Sequence, residues 1–468
     1  MHESVNQNAV FRDTAGCWRF SSPRATNSDM SFSNIMDSNS YSPDHPVDPV
    51  TGSMIAARDH MLGPAYRLFY DEPVHLVRGQ GTRLYDVDGA CFLDAYNNVA
   101  CVGHCHPRVV EAASRQLATL NTHTRYLHRG ILDYSERLLT TLPDAVNHVM
   151  YACTGSEVND LALRVAEMHT GAKGVVITTD AYHGNTATTT AISPSIGGPT
   201  AAGPHVRVVA PPDSYRIPAG ELATRFAADV NAAIADLQSA GFGLSAFFVD
   251  TIFSSDGIYP DPSVLAPTVD AVHRAGGVFI ADEVQPGFAR TGDAMWGFSR
   301  HAVLPDIVTM GKPMGNGLPI AAMAAQAGVL EAFATEVPYF NTFGGNPVTM
   351  AAAAAVLDVI EDEGLMDNAA VVGGLLRAEL TGMTEGHPRI GEVRGAGLYI
   401  GVEVITDAGA PDRAGAKALV NAMRERNVLI SVCGHDGSVL KIRPPLVFSR
   451  SDVEWFCTEF AAVLASEF

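Results

Sequence analysis

Short apolar runs alternate along most of this chain with longer segments whose apolar positions recur at helical spacing. Between His148 and Thr179 the order is HVMYAC, then SEVNDLALRVAEMHTG, then GVVITT, which reads as strand, amphipathic helix and strand. This alternation predicts an α/β fold with a largely parallel central sheet, because parallel neighbours need a crossover, usually a helix, between them. Two further runs end in residues with chemistry of their own. GVFIADE, Gly277 to Glu283, delivers Asp282, and DIVTMG, Asp306 to Gly311, is followed directly by Lys312.

The same patterning divides the chain. Residues 1–52, rich in Ser, Asn, Asp and Pro and lacking sustained periodicity, are expected to form a disordered extension. From 53 to 107 a helical stretch starting near Met54 leads into PVHLVRG and RLYDVDGACFLDA, predicted strands with a DVDG turn, which make the N-terminal segment of a small domain. Residues 108–345 alternate strand and helix as a large domain should. Residues 346–468 read as a C-terminal α+β domain entered through the helix TMAAAAAVLDVIEDEG, with Asn346 as its cap and Pro347 in its first turn.

Composition narrows the partners. With 468 residues, 47% of them hydrophobic, the chain can bury a large core, and a formal net charge of -20 argues against a nucleic-acid partner. An anionic ligand must therefore be caught locally. The alanine-rich run from Met350 to Ile360 falls short of the ~18 residues of a membrane span, and no secretory signal is seen, so no membrane association and a cytoplasmic location are expected. Seven cysteines, an odd number, suit free thiols. Cys101, His104, Cys105 and His106 in CVGHCHP resemble metal ligands, but no C-x-x-C pair accompanies them; a turn followed by a helix start at Pro107 is the expectation, with no metal site.

Asp282 and Lys312 follow strands whose C-terminal ends form the ligand crevice of an open α/β sheet. A carboxylate and an amine delivered there suit pyridoxal 5'-phosphate: the amine bonds to the aldehyde, and the carboxylate partners the pyridine nitrogen. Thr154, Gly155, Ser156 and Glu157 follow another strand and open a helix through a T-x-x-E capping box. The free N–H groups of such a first turn make a phosphate site, although an ordinary capped helix has the same signature. Tyr182 and His183 follow GVVITTDA, where an aromatic ring can cover a pyridine face. Val284 and Gln285 continue beyond Asp282 toward the ring and its phenolic oxygen, and Thr342 in NTFGGNP is a further phosphate ligand. Gly241, Gly243 and Ala246 match a dinucleotide fingerprint but precede a strand instead of following one, which excludes a nicotinamide reading.

In order and spacing, CTGSEVND, AYHG, ADEVQPGFARTG, DIVTMGKPMGNG and NTFGGNP resemble the motifs of class III (omega-type) PLP-dependent aminotransferases, from about residue 55 to the C-terminus. The resemblance implies a type I PLP fold, with a small domain built from N- and C-terminal segments, and a homodimer, or a tetramer of such dimers, with shared active sites. It makes Lys312 the Schiff-base lysine and proton shuttle, Asp282 the partner of the pyridine nitrogen and Gln285 the contact to the phenolic oxygen. Tyr182 then stacks on the ring, Gly155 and Ser156 hold the phosphate, and Thr342 reaches it from the neighbouring subunit.

YNNVACVGHCHP, MGKPMGNG and VLKIRPPLVFS are most similar to the branch that includes ethanolamine-phosphate phospho-lyase and 5-phosphohydroxylysine phospho-lyase. That branch implies a small phosphorylated amine substrate. Lys441 stands where aminotransferases that grip an alpha-carboxylate often have arginine, and a lysine point charge can equally meet a phosphate. A surface position on an edge strand is the alternative reading of Lys441. Arg67 and Arg443 are further candidates for the substrate phosphate, and Asn98 for the substrate side of the ring. The implied reaction is elimination of phosphate from O-phosphoethanolamine to acetaldehyde and ammonia; the alternative is amino transfer to pyruvate or glyoxylate. Asp250, Phe253, Pro286 and Ala289 depart from the family pattern.

Overall fold

The structure, a computed structural model, describes residues 10–12, 18–20, 34–196 and 202–467. It divides into two units. In the first, residues 1–32, β1 (Val10–Arg12) pairs antiparallel with β2 (Trp18–Phe20). Much of the expected disordered extension lies outside the described residues.

The part of that segment from residue 34 onward is folded, which corrects the expectation. Asn39 O accepts from Tyr70 N at 3.0 Å, and Ser38 Oγ accepts from Arg413 Nη2 at 2.8 Å. The helix expected near Met54 is α1 (Pro49–Leu62). It starts earlier because Asp48 caps it, accepting from Val50 N at 2.9 Å and Thr51 N at 3.1 Å, with Pro49 as first helical residue. Asp followed by Pro is a helix-start signal that local composition concealed.

The second unit is built on three sheets. β3 (Leu76–Gln80), β4 (Arg83–Asp86) and β5 (Cys91–Asp94) form an antiparallel meander, after which α2 (Pro107–Thr119) and α3 (Arg129–Thr140) lead to the central sheet. That sheet takes β6 (Val146–Ala152), β7 (Val175–Thr178), β8 (Val206–Val209), β9 (Ala246–Asp250), β10 (Val278–Asp282), β11 (Ile307–Met310) and β12 (Ala321–Gln326) in the order β6-β12-β11-β10-β9-β7-β8. Only β12 runs against the rest. β9 and β10 are apolar over their lengths because helices cover both faces of such a sheet, and α4 (Gly155–Thr170) packs across it from the end of β6.

β13 (Ile390–Ala396), β14 (Tyr399–Val404), β16 (Ser431–Cys433) and β17 (Val439–Ile442) form the third sheet, while β15 (Val428–Leu429) joins β5 in parallel. N- and C-terminal segments thus share one sheet. The linking helix Pro347–Asp362 is capped by Asn346, which accepts from Thr349 N at 3.1 Å.

CVGHCHP ends in α2, with His106 as cap residue and Pro107 first in the helix. His104 Nε2 meets Asp94 Oδ2 at 2.6 Å, tying the turn to β5. Among the described residues no group of three or more His, Cys, Asp or Glu is arranged to hold a metal ion, and no helix is long and apolar enough to cross a membrane. Gly241 and Gly243 precede β9, as the sequence indicated.

Candidate active site

The parallel strands place their C-terminal ends in one crevice. β10 lies between β9 and β11, so Asp282 emerges near the middle of the sheet, and Lys312 follows the adjacent β11 after a single glycine. Asp282 is only 3% exposed. Its Oδ2 meets His183 Nδ1 at 2.7 Å and accepts from Asn159 Nδ2 at 3.0 Å, and its Oδ1 accepts from Val284 N at 3.0 Å. These contacts hold the carboxylate in one orientation facing the crevice.

At the start of α4, Thr154 and Glu157 form the full capping box. Glu157 Oε2 accepts from Cys153 N and Thr154 N at 2.9 Å, which leaves the next N–H groups of the turn for a ligand. Ser156 Oγ donates to Asn185 Oδ1 at 3.0 Å and accepts from Asn185 N at 3.1 Å. That closure needs Gly184: its φ is 141°, and a Cβ there would lie 2.7 Å from Ser156 Oγ.

Gly155, Ser156, Tyr182, His183, Asp282, Val284, Gln285 and Lys312 line one cavity of about 200 Å³, together with Asn159 and Gly184. Eight of the residues singled out from the sequence therefore meet. Lys312 is half-buried, without a hydrogen-bonding partner among the described residues. Burial, then the positive charge of Arg443, lowers its pKa to about 8. An amine that sheds its proton near neutrality is a ready nucleophile toward an aldehyde.

Three other expected residues lie near the cavity without lining it. Asn98, 1% exposed, donates to Gln285 Oε1 at 3.3 Å, and Arg443 Nη1 donates to the same oxygen. Arg443 also donates from Nε to Tyr96 O at 3.1 Å. Lys441 occupies β17, an internal strand flanked by β14 and β16, and is 5% exposed, so the edge-strand surface reading is corrected. Burial lowers its pKa. Among the described residues neither Lys441 nor Arg443 has a carboxylate partner.

Two expected residues are not brought to the cavity within one chain. Arg67 forms an ion pair with Asp37, Nε to Oδ1 at 2.6 Å, and lines a separate cavity of about 370 Å³ beside Tyr96 and Asn97. Thr342 is exposed on the loop before Asn346. Gly184 ends the AYHG motif; Asn159 is the lining residue that sequence reasoning missed. Asn159 lies four positions after Gly155, on the same helix face, so helical spacing was the available signal.

The departures from the family pattern are local. Asp250 is aligned with Asp282 across the β9–β10 ladder, and burial followed by the charge of Asp282 raises its pKa. Phe253 and Ala289 both adopt left-handed backbone, φ 55° and 63°, inside the core.

The family model described as Aminotransferase class-III matches residues 69–464. The chain belongs to this family. A Drosophila melanogaster relative named alanine–glyoxylate aminotransferase 2-like is 39% identical over 88% of this chain and 87% of its own. The Caenorhabditis elegans ethanolamine-phosphate phospho-lyase homolog 1 is 37% identical over 86% of this chain and 90% of its own. An Arthrobacter phospholyase solved in complex with phosphoethanolamine is 42% identical with a TM-score of 0.86, covering 88% of this chain and 99% of its own.

This class-III enzyme has the type I PLP fold, and its cofactor is pyridoxal 5'-phosphate. The residues present fit that group. Lys312 supplies an unpaired amine, Asp282 a buried carboxylate, and α4 a helix start held open by Gly155 and Gly184. Buried His183 Nε2 and Asn159 Oδ1 have no protein partner, leaving polar atoms at the cavity for the cofactor or its water.

Proposed function

We propose that this enzyme is a phospho-lyase that eliminates phosphate from O-phosphoethanolamine, giving acetaldehyde, ammonia and phosphate. The observation that carries the reading is the pair Lys441 and Arg443, two buried cations near Lys312 with no ion-paired carboxylate among the described residues, Asp250 being the acid in their surroundings. Buried positive charge is costly, and a dianionic phosphate offsets that cost better than a carboxylate does. The Arthrobacter and C. elegans relatives support the same chemistry; the alanine–glyoxylate relative keeps amino transfer as the competing reading.

Pyridoxal 5'-phosphate, when bound, supplies an electron sink for charge at the carbon bearing the amine. Lys312 Nζ, which lines the cavity, would take the proton from that carbon. Lys441 and Arg443 hold the phosphate on the adjacent carbon and stabilise its charge as the carbon–oxygen bond breaks. The enamine left behind hydrolyses in water to acetaldehyde and ammonia. Asp282, held by its contacts with His183 and Asn159, would partner the pyridine nitrogen. Two chains are proposed to share each site, with Thr342 of one completing the phosphate site of the other.

The test is release of inorganic phosphate and acetaldehyde from O-phosphoethanolamine by the PLP-loaded enzyme with no keto acid present. Sustained equimolar release is expected. Absence of release, with amino transfer once pyruvate or glyoxylate is added, would establish a transaminase.

A further inference from the structure

Arg443 is held entirely by neutral acceptors. Besides Gln285 Oε1 and Tyr96 O, its Nη1 donates to the Tyr399 hydroxyl at 3.4 Å. Tyr399 opens β14, is fully buried, and lies across the antiparallel ladder from the end of β17 that carries Lys441. Its ring faces both cations: Lys441 Nζ is 5.9 Å and Arg443 Cζ 5.6 Å from the ring centroid. Phenylalanine would fill the same volume. The hydroxyl must therefore be explained by what it touches.

That hydroxyl has a second neighbour. Ser254, fully buried in the loop after β9, lies close to Tyr399 and donates its own proton to Asp250 Oδ2. The phenol oxygen accepts from Arg443 through a lone pair, and the serine proton, committed to Asp250, does not compete for it.

We propose that Tyr399 is a positioning residue for the substrate phosphate, its hydroxyl and ring fixing Arg443 beside Lys441 as an anion-binding pair. The inference rests on the phospho-lyase reading and adds a residue and an order of action to it. Tyr399 touches neither substrate nor reacting atoms. It sets where the guanidinium waits, so its effect falls on phosphate binding and not on proton transfer by Lys312.

The experiment compares wild type, Tyr399→Phe and Ser254→Ala as PLP-loaded holoenzymes, measuring kcat and KM for O-phosphoethanolamine and inhibition by inorganic phosphate. For Tyr399→Phe, KM and the phosphate inhibition constant are expected to rise together by about tenfold, with kcat within about twofold, as for loss of one hydrogen bond to a charged group. Ser254→Ala is expected to move both constants in the same direction by a smaller factor. Cofactor absorbance should be unaltered in both variants. Unchanged constants in Tyr399→Phe overturn the inference, and so does a fall in kcat accompanied by loss of cofactor absorbance, which marks a merely structural residue. Wild type that releases no phosphate from O-phosphoethanolamine overturns the functional reading and this inference with it. Release by wild type with an indifferent Tyr399→Phe overturns the inference alone.

Discussion

Lys312, the proposed catalytic amine, is an uncomfortable residue for the fold. It is half-buried, has no acceptor for an ammonium group among the described residues, and shares its surroundings with Arg443 and Lys441; burial comes first among the causes that lower its pKa to about 8. Only the unprotonated amine attacks an aldehyde, so a lowered pKa moves the reactive form toward neutral pH. The rate at which apoenzyme takes up pyridoxal 5'-phosphate, followed by absorbance of the bound cofactor, should therefore rise with pH through a midpoint near 8. A midpoint near the ordinary lysine value would mean that the amine is solvated. Asp282 and Lys312 were legible in the sequence because a strand end in an α/β fold has a defined destination. Lys441 was not, since its burial depends on β17 lying between β14 and β16, a pairing fixed across distant segments.

At the scale of elements, the site rests on strand ends and the turns that follow them. Glu283, next to Asp282, is fully buried and accepts from Thr251 Oγ1 at 2.7 Å, Gly297 N at 2.7 Å and Phe298 N at 2.8 Å. It ties the end of β10 to the turn at residues 297–301 and to the residue after β9. Glu283→Ala should lower stability by about 3 kcal/mol, roughly 1 kcal/mol for each lost bond, read as a shift in denaturant midpoint. A change below about 1 kcal/mol would show that water replaces the carboxylate. Local signals at this scale were readable where a cap and its helix are contiguous, as at Thr154 and Asn346. They were missed at Asp48, where the cap sits inside a polar stretch that looked unstructured.

For the whole molecule, the cavity within one chain lacks two expected residues, Arg67 and Thr342, and the exposed position of Thr342 leaves it available to a second copy. If two chains share each site, Lys312→Ala and Thr342→Asp, each inactive alone, should complement when refolded together in equal amounts. Activity should return to roughly a quarter of wild type, half of the dimers being mixed and one site in each intact. No recovery would place Thr342 in the site of its own chain or outside it. The fold class was legible from alternation alone; assembly was not, because nothing in a single chain's periodicity records which exposed loops meet another chain.

The central claim is that this class-III enzyme eliminates phosphate and does not transfer the amino group. Its most direct test gives the PLP-loaded enzyme O-phosphoethanolamine and pyruvate together, and counts phosphate, acetaldehyde and alanine. The account predicts phosphate and acetaldehyde in equal amounts, at a rate indifferent to pyruvate, with no alanine. Alanine formed in step with pyruvate consumption, with the phosphate still esterified, would contradict it.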